Sequence, residues 1–152
     1  MKMIEGDILD MRNPFGGTII CHQVNCRGVM GAGLAKQIKE RWPNVFTSYW
    51  DYLQRTPSPL GCTQLAEADE DLYVANLFAQ NDFGTHQRQT NYGAVAKAFD
   101  SLSLKILRSD VVYIPYMMGC GLGGGDWETY LEIATAFVPD LIVVKYTPPK
   151  LF

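Results

Sequence analysis

A strand-like run from Val111 to Met117 passes into Gly119-Cys120-Gly121-Leu122-Gly123-Gly124-Gly125, and a helix-like run from Trp127 to Phe137 follows. A second segment of the same kind, Asn25-Cys26-Arg27-Gly28-Val29-Met30-Gly31-Ala32-Gly33-Leu34, lies between Thr18–Val24 and another helix-like run. Backbone N–H groups reach an anion closely where no Cβ intervenes, and a helix N-terminus adds its dipole. One glycine is enough for an ordinary strand-to-helix turn, and each further one costs conformational entropy on folding. Two such loops therefore suit the two ends of one phosphate-bearing ligand.

Acid–base groups lie beside both loops. His22 sits three residues before Asn25, on the strand entering the first loop. An imidazole half-protonated near pH 6–7 could serve a phosphate ester as general acid or nucleophile. Strand parity puts residues 21, 23 and 25 on one face and His22 on the other, so a histidine satisfied beneath the sheet is the alternative. Asp126 could activate a water or deprotonate a hydroxyl, and it is equally a good N-cap for the helix from Trp127. Cys120 has no evident base beside it and reads as a small loop residue. Arg27 could neutralise a terminal phosphate or lie on the surface.

The elements that must position these groups follow from periodicity and turn chemistry. Strands are expected at Met3–Leu9, Thr18–Val24, Cys62–Ala68 (an edge), Leu72–Phe78 (apolar throughout, so buried on both faces), Val111–Met117 and Leu141–Tyr146. Helices are expected from Gly33 or Leu34 to Arg41, Val45 to about Gln54, Asn91 to Leu104 and Trp127 to Phe137. Gln80 to Gln89 is polar and long enough for a functional loop. The order β-β-α-α-β-β-α-β-α-β predicts an α/β fold with a central sheet between helix layers. The Cys62–Phe78 pair reads as a hairpin, which makes the sheet mixed. Ligands of such sheets bind beyond the C-terminal ends of parallel strands, where both glycine loops fall.

The 152 residues fit a single domain, 1–152, large enough to bury a core. With 47% hydrophobic and 19% charged residues the chain is globular. A net charge of −3 argues against broad binding to nucleic-acid backbone. Four cysteines without a CxxC pair, and only His22 and His86, give no zinc spacing, so neither a metal nor another cofactor is expected. No signal-peptide core or apolar run of bilayer length occurs, and a cytoplasmic, monomeric protein with reduced thiols is the expectation.

The chain resembles the macrodomain family of ADP-ribose-binding modules. The resemblance rests on Gly6-Asp7-Ile8, on Asn25 before Gly28-Val29-Met30-Gly31-Ala32-Gly33-Leu34-Ala35, on Gly119-Cys120-Gly121-Leu122, and on Val144-Lys145-Tyr146-Thr147. It covers nearly the whole chain and is nearest to small stand-alone members, among them ADP-ribose 1″-phosphate phosphatases and terminal ADP-ribose glycohydrolases. It implies a three-layer α/β/α fold and an ADP-ribose or ADP-ribosyl conjugate as partner. By that resemblance Asp7 and the Ile8 N–H would meet adenine, with Tyr146 stacking on it. Gly31, Ala32 and Gly33, with Gly119, Cys120, Gly121, Leu122, Gly123 and Gly124, would cradle the diphosphate. Asn25 would bond the distal ribose, and Phe83 would cover the ligand. The glycohydrolases carry a lysine near the end of the central strand and an aspartate after Gly-Cys-Gly-Leu. Here Gln80 and Asn81 stand near the first place and Gly123 at the second. The expected activity is hydrolysis of ADP-ribose 1″-phosphate with His22 and Asp126 as catalytic residues. Removal of ADP-ribose from protein or nucleic-acid conjugates, or non-catalytic reading of ADP-ribose, is the alternative. A nicotinamide-dinucleotide dehydrogenase domain fits less well, because the first loop lacks the G-x-G-x-x-G register.

Overall fold

In a computed structural model, which describes residues 1–149, six strands and four helices form three layers; the last three residues of the expected domain lie outside the described residues. The strands are β1 Lys2–Gly6, β2 Thr18–Val24, β3 Thr63–Asp69, β4 Leu72–Phe78, β5 Val111–Pro115 and β6 Ile142–Tyr146. The helices are α1 Gly33–Arg41, α2 Pro43–Arg55, α3 Tyr92–Ser103 and α4 Trp127–Phe137. The sheet order is β1-β6-β5-β2-β4-β3. Every pairing is parallel except the β3–β4 hairpin, so the sheet is mixed and β3 is an edge, as the pattern predicts.

Alternation along β2 divides the core. Ile19 and Cys21 pack with Ala98 and Phe99 of α3 and Tyr130 and Ala134 of α4. Ile20 packs on the other face with Ile38 of α1 and Val45 of α2, and Val24 with Tyr49 of α2. Burying one such side chain stabilises the fold by about 1.5–3 kcal/mol, so both helix layers are held mainly by apolar burial. No helix among the described residues is long and apolar enough to cross a membrane.

Two strand ends differ from expectation by more than one residue. β1 stops at Gly6 rather than Leu9, because the Asp7 side chain accepts from the Leu9 N–H and caps a 3₁₀ turn over Ile8–Asp10. β5 stops at Pro115 rather than Met117, and Met117 takes a left-handed backbone (φ 65°) that turns the chain into the second glycine loop.

Candidate functional site

A cavity of about 620 Å³ opens beyond the C-terminal ends of β2 and β5. Its walls come from His22–Asn25, Val29, Gly31–Ala35, Gln80, Phe83–Thr85, Pro115–Gly119 and Gly121–Gly123. The two glycine loops thus meet in one space. Only two of the wall residues, His22 and Tyr116, have ionisable side chains, so an anion held here is bound by dipoles.

The dipoles are in place. α1 begins with Ala32 as N-cap and has no side-chain cap, whereas Asn91 caps α3 and Asp126 caps α4. A capping oxygen would occupy the space and the donors that a ligand oxygen needs. The N–H groups of Gly33, Leu34 and Ala35 open that helix and have no intrahelical acceptor. The N–H groups of Gly121, Leu122 and Gly123 also have no acceptor among the described residues. Convergent free donors of this kind form an anion site without Lys or Arg.

The second loop owes its shape to polar side chains beneath it. Thr90 Oγ1 donates to the Gly119 carbonyl at 2.6 Å, and the Gly123 carbonyl accepts from the N–H groups of Gln89 and Thr90. Gln23 Nε2 donates to Thr90 Oγ1 and to Gln80 Oε1, both at 2.8 Å, and Gln23 Oε1 accepts from Tyr130 OH at 2.9 Å. Gln80 Nε2 donates to the Asp82 carbonyl. Sequence reading missed Gln23 and Thr90; the one available signal was an amide interrupting the apolar run of β2 on the Cys21 face. An added Cβ at Gly123 would lie 2.6 Å from Thr90 Oγ1 and 2.7 Å from the Gly119 carbonyl, so the aspartate of the glycohydrolases has no room at this position.

His22 is 3% exposed on the α1–α2 face, touching the cavity wall. Its Nε2 meets Asn76 Oδ1 at 2.5 Å; Asn76 Nδ2 donates to Gln64 Oε1, and Gln64 Nε2 donates to the Ser48 carbonyl. That relay ends on an oxygen that only accepts, so both amides point one way and Nε2 carries the imidazole proton. Nδ1 is a buried lone pair without a partner among the described residues. Burial pushes the ring pKa down to about 4, against a smaller upward pull from Asn76. The expectation of a ring half-protonated near pH 6–7 is therefore corrected: His22 is neutral there, which removes the general-acid role and leaves the nucleophile role open through the Nδ1 lone pair.

Asp126 is not a wall residue. Its Oδ2 accepts from the Thr129 N–H at 3.0 Å and Thr129 Oγ1 at 2.8 Å, and these bonds hold the carboxyl below the usual range. The cap alternative is the arrangement observed. Asp126→Ala is expected to lower Tm by about 3 °C through loss of the cap while leaving ligand affinity within twofold. Calorimetric melting and ligand titration check this; a large loss of affinity at unchanged Tm would return Asp126 to the site.

Asn25 lines the cavity, but its amide serves its own loop. Oδ1 accepts from Arg27 N–H at 2.9 Å and Tyr49 OH at 2.9 Å, and Nδ2 donates to the Val29 carbonyl at 2.8 Å. The amide forms the Asx turn that shapes the loop, and the second N–H of Nδ2 has no acceptor among the described residues. Cys120 and Gly124 belong to the second loop without lining the cavity, and burial pushes the Cys120 thiol up to about 11, which keeps it an unreactive SH. Asp7, Ile8 and Tyr146 lie together beyond the described walls, where Gly6 pairs with Tyr146 in register. Asp7 Oδ1 is used by its cap, Ile8 is buried, and Tyr146 is 64% exposed with its ring open to a stacking partner.

The family model "Macro domain" matches residues 21–134. A Mycobacterium tuberculosis protein named DNA ADP-ribosyl glycohydrolase is 30% identical over 139 residues, 85% of this chain; the chain spans 38% of that relative's length. An ADP-ribose 1″-phosphate phosphatase of Meyerozyma guilliermondii is 26% identical over 105 residues, covering 60% of this chain and 59% of the relative. The solved macrodomain of Mycobacterium tuberculosis DarG superimposes with a TM-score of 0.72 at 26% identity, over 97% of each chain.

Proposed function

The chain belongs to the macrodomain family, and on that premise we propose that its cavity binds ADP-ribose and that the protein hydrolyses the phosphate ester of ADP-ribose 1″-phosphate. The observation that carries the proposal is the meeting of two unoccupied donor sets, the uncapped start of α1 and Gly121–Gly123, in one cavity with uncharged walls. Those donors suit a diphosphate, and Tyr146 with Asp7 suits a purine at the β1–β6 edge. Water attacks phosphorus, the bond from phosphorus to the anomeric oxygen breaks, and ADP-ribose and inorganic phosphate leave. With His22 neutral, the departing oxygen takes its proton from solvent. The lysine-and-aspartate route of the glycohydrolases lacks both of its groups here, since Gln80 is tied to Gln23 and Asp82 and Gly123 admits no side chain.

The direct test incubates the protein with ADP-ribose 1″-phosphate, follows free phosphate, and titrates ADP-ribose by calorimetry. Phosphate release together with saturable ADP-ribose binding is the expected result. Binding without release would favour a reader, a reading that the shortage of ionisable wall groups also supports. Release of ADP-ribose from modified DNA or protein would favour the activity named for the mycobacterial relative. Failure to bind ADP-ribose would end the proposal.

Tyr146→Ala is expected to weaken ADP-ribose binding about tenfold, because base–aromatic stacking contributes about 1–3 kcal/mol. Its exposed ring packs little of the fold, so Tm should hold. Unchanged affinity in the titration would remove Tyr146 from the site.

A further inference from the structure

The loops on either side of the cavity mouth are stitched at two points. Cys26 N–H donates to the Asn81 carbonyl at 3.0 Å, and beside it Arg27 Nη2 lies 3.6 Å from Asp82 Oδ2. Arg27 stands in sequence between wall residues Asn25 and Val29, and Asp82 between wall residues Gln80 and Phe83; the ion pair itself lies outside the cavity walls. The Arg27 backbone is fixed, because its N–H donates to Asn25 Oδ1, whereas its guanidinium is half-exposed. A pair this exposed and this long contributes little to stability and is easily exchanged. The Cys26–Asn81 bond joins the loops without it, so the pair is not needed to hold them together.

With ADP-ribose seated as proposed above, we infer that Arg27 recognises a second anion at the outer end of the ligand, and that Asp82 occupies Arg27 until a phosphate displaces it. A guanidinium binds phosphate through two parallel N–H donors and prefers it to a single long carboxylate contact. The cavity walls supply no cation for a terminal phosphate, and Arg27 supplies one two residues along the loop from wall residue Asn25. The pair thereby selects phosphorylated ADP-ribose over ADP-ribose.

The test compares Asp82→Asn and Arg27→Gln in calorimetric titrations with ADP-ribose and with its 1″-phosphonate analogue, which carries the additional anion of the 1″-phosphate and is not hydrolysed. Asp82→Asn releases Arg27 and should tighten the phosphonate about fivefold; Arg27→Gln should weaken it about tenfold. Both variants should leave ADP-ribose within twofold, and Tm unchanged. A purely structural pair would shift both variants in the same direction and both ligands alike, which would overturn the inference while ADP-ribose binding stood. Equal affinity of the unsubstituted protein for the two ligands would overturn it as well. Absence of ADP-ribose binding would remove this inference together with the function it rests on.

Discussion

Gly119→Ala should unfold about 10 °C below the unsubstituted protein. Gly119 has φ +72°, a conformation costing an L-residue about 1–2 kcal/mol. Its added Cβ would lie 2.4 Å from Tyr130 Cε2 and 2.8 Å from Gln23 Oε1. Tyr130 cannot retreat: it is fully buried, with its ring edge-on to Phe99 at 6.1 Å and its hydroxyl bonded to Gln23. Overpacking of this kind costs about 1–3 kcal/mol more. A total of about 3 kcal/mol at this chain length gives the stated shift. Gly121 is the internal control, because a Cβ there meets nothing within 4 Å. Gly121→Ala should melt with the unsubstituted protein yet bind ADP-ribose more weakly, since its new methyl projects into open space on the cavity wall. Thermal melts of the two variants side by side decide the matter; equal melting would mean that Tyr130 and Gln23 do not fix the second loop.

The second large effect concerns acid. His22 has a pKa of about 4 in the folded protein, against about 6.5 when unfolded. Between those values the unfolded chain holds the extra proton, so stability falls as pH falls. The full contribution is present above about pH 6.5 and is lost progressively down to about pH 4, a total of about 3 kcal/mol. His22→Gln keeps an amide donor for Asn76 and removes the titrating ring. It should be less stable than the unsubstituted protein at pH 7 and should lose less between pH 6.5 and 4.5. Urea melts at stepped pH measure both slopes. Parallel slopes would contradict a buried neutral His22.

The glycine loops were legible because strand, glycine run and helix are local patterns that depend on no distant partner. The hairpin and the layers were legible for the same reason. Asp7, Asn25 and Asp126 were not, because a short side chain that suits a ligand also suits a turn or a cap, and only the folded backbone decides between them. All three proved to bond their own loop or helix. His22 depended on strand parity, which placed it away from the Cys21 face, and on Asn76 and Gln64, whose approach nothing in β2 announces. The support of the second loop is the least local feature: Gln23 reaches Gln80, Thr90 and Tyr130, which lie 57, 67 and 107 positions away. No window of neighbouring residues contains that network.

The place of β1 bears on the order in which the molecule is made. Its sheet partner is β6, about 140 residues further along the chain, and β1 is an edge strand. β1 must therefore wait unpaired until β6 has been synthesised, since loop closure over that distance precedes any reward from pairing. β2, β4, β3 and α3 can associate meanwhile, but the edge where Gly6 pairs with Tyr146 cannot exist. On the proposed reading of the site, a nascent chain has the central anion cradle in reach before the purine-binding end, and competence for the whole nucleotide arrives only with β6.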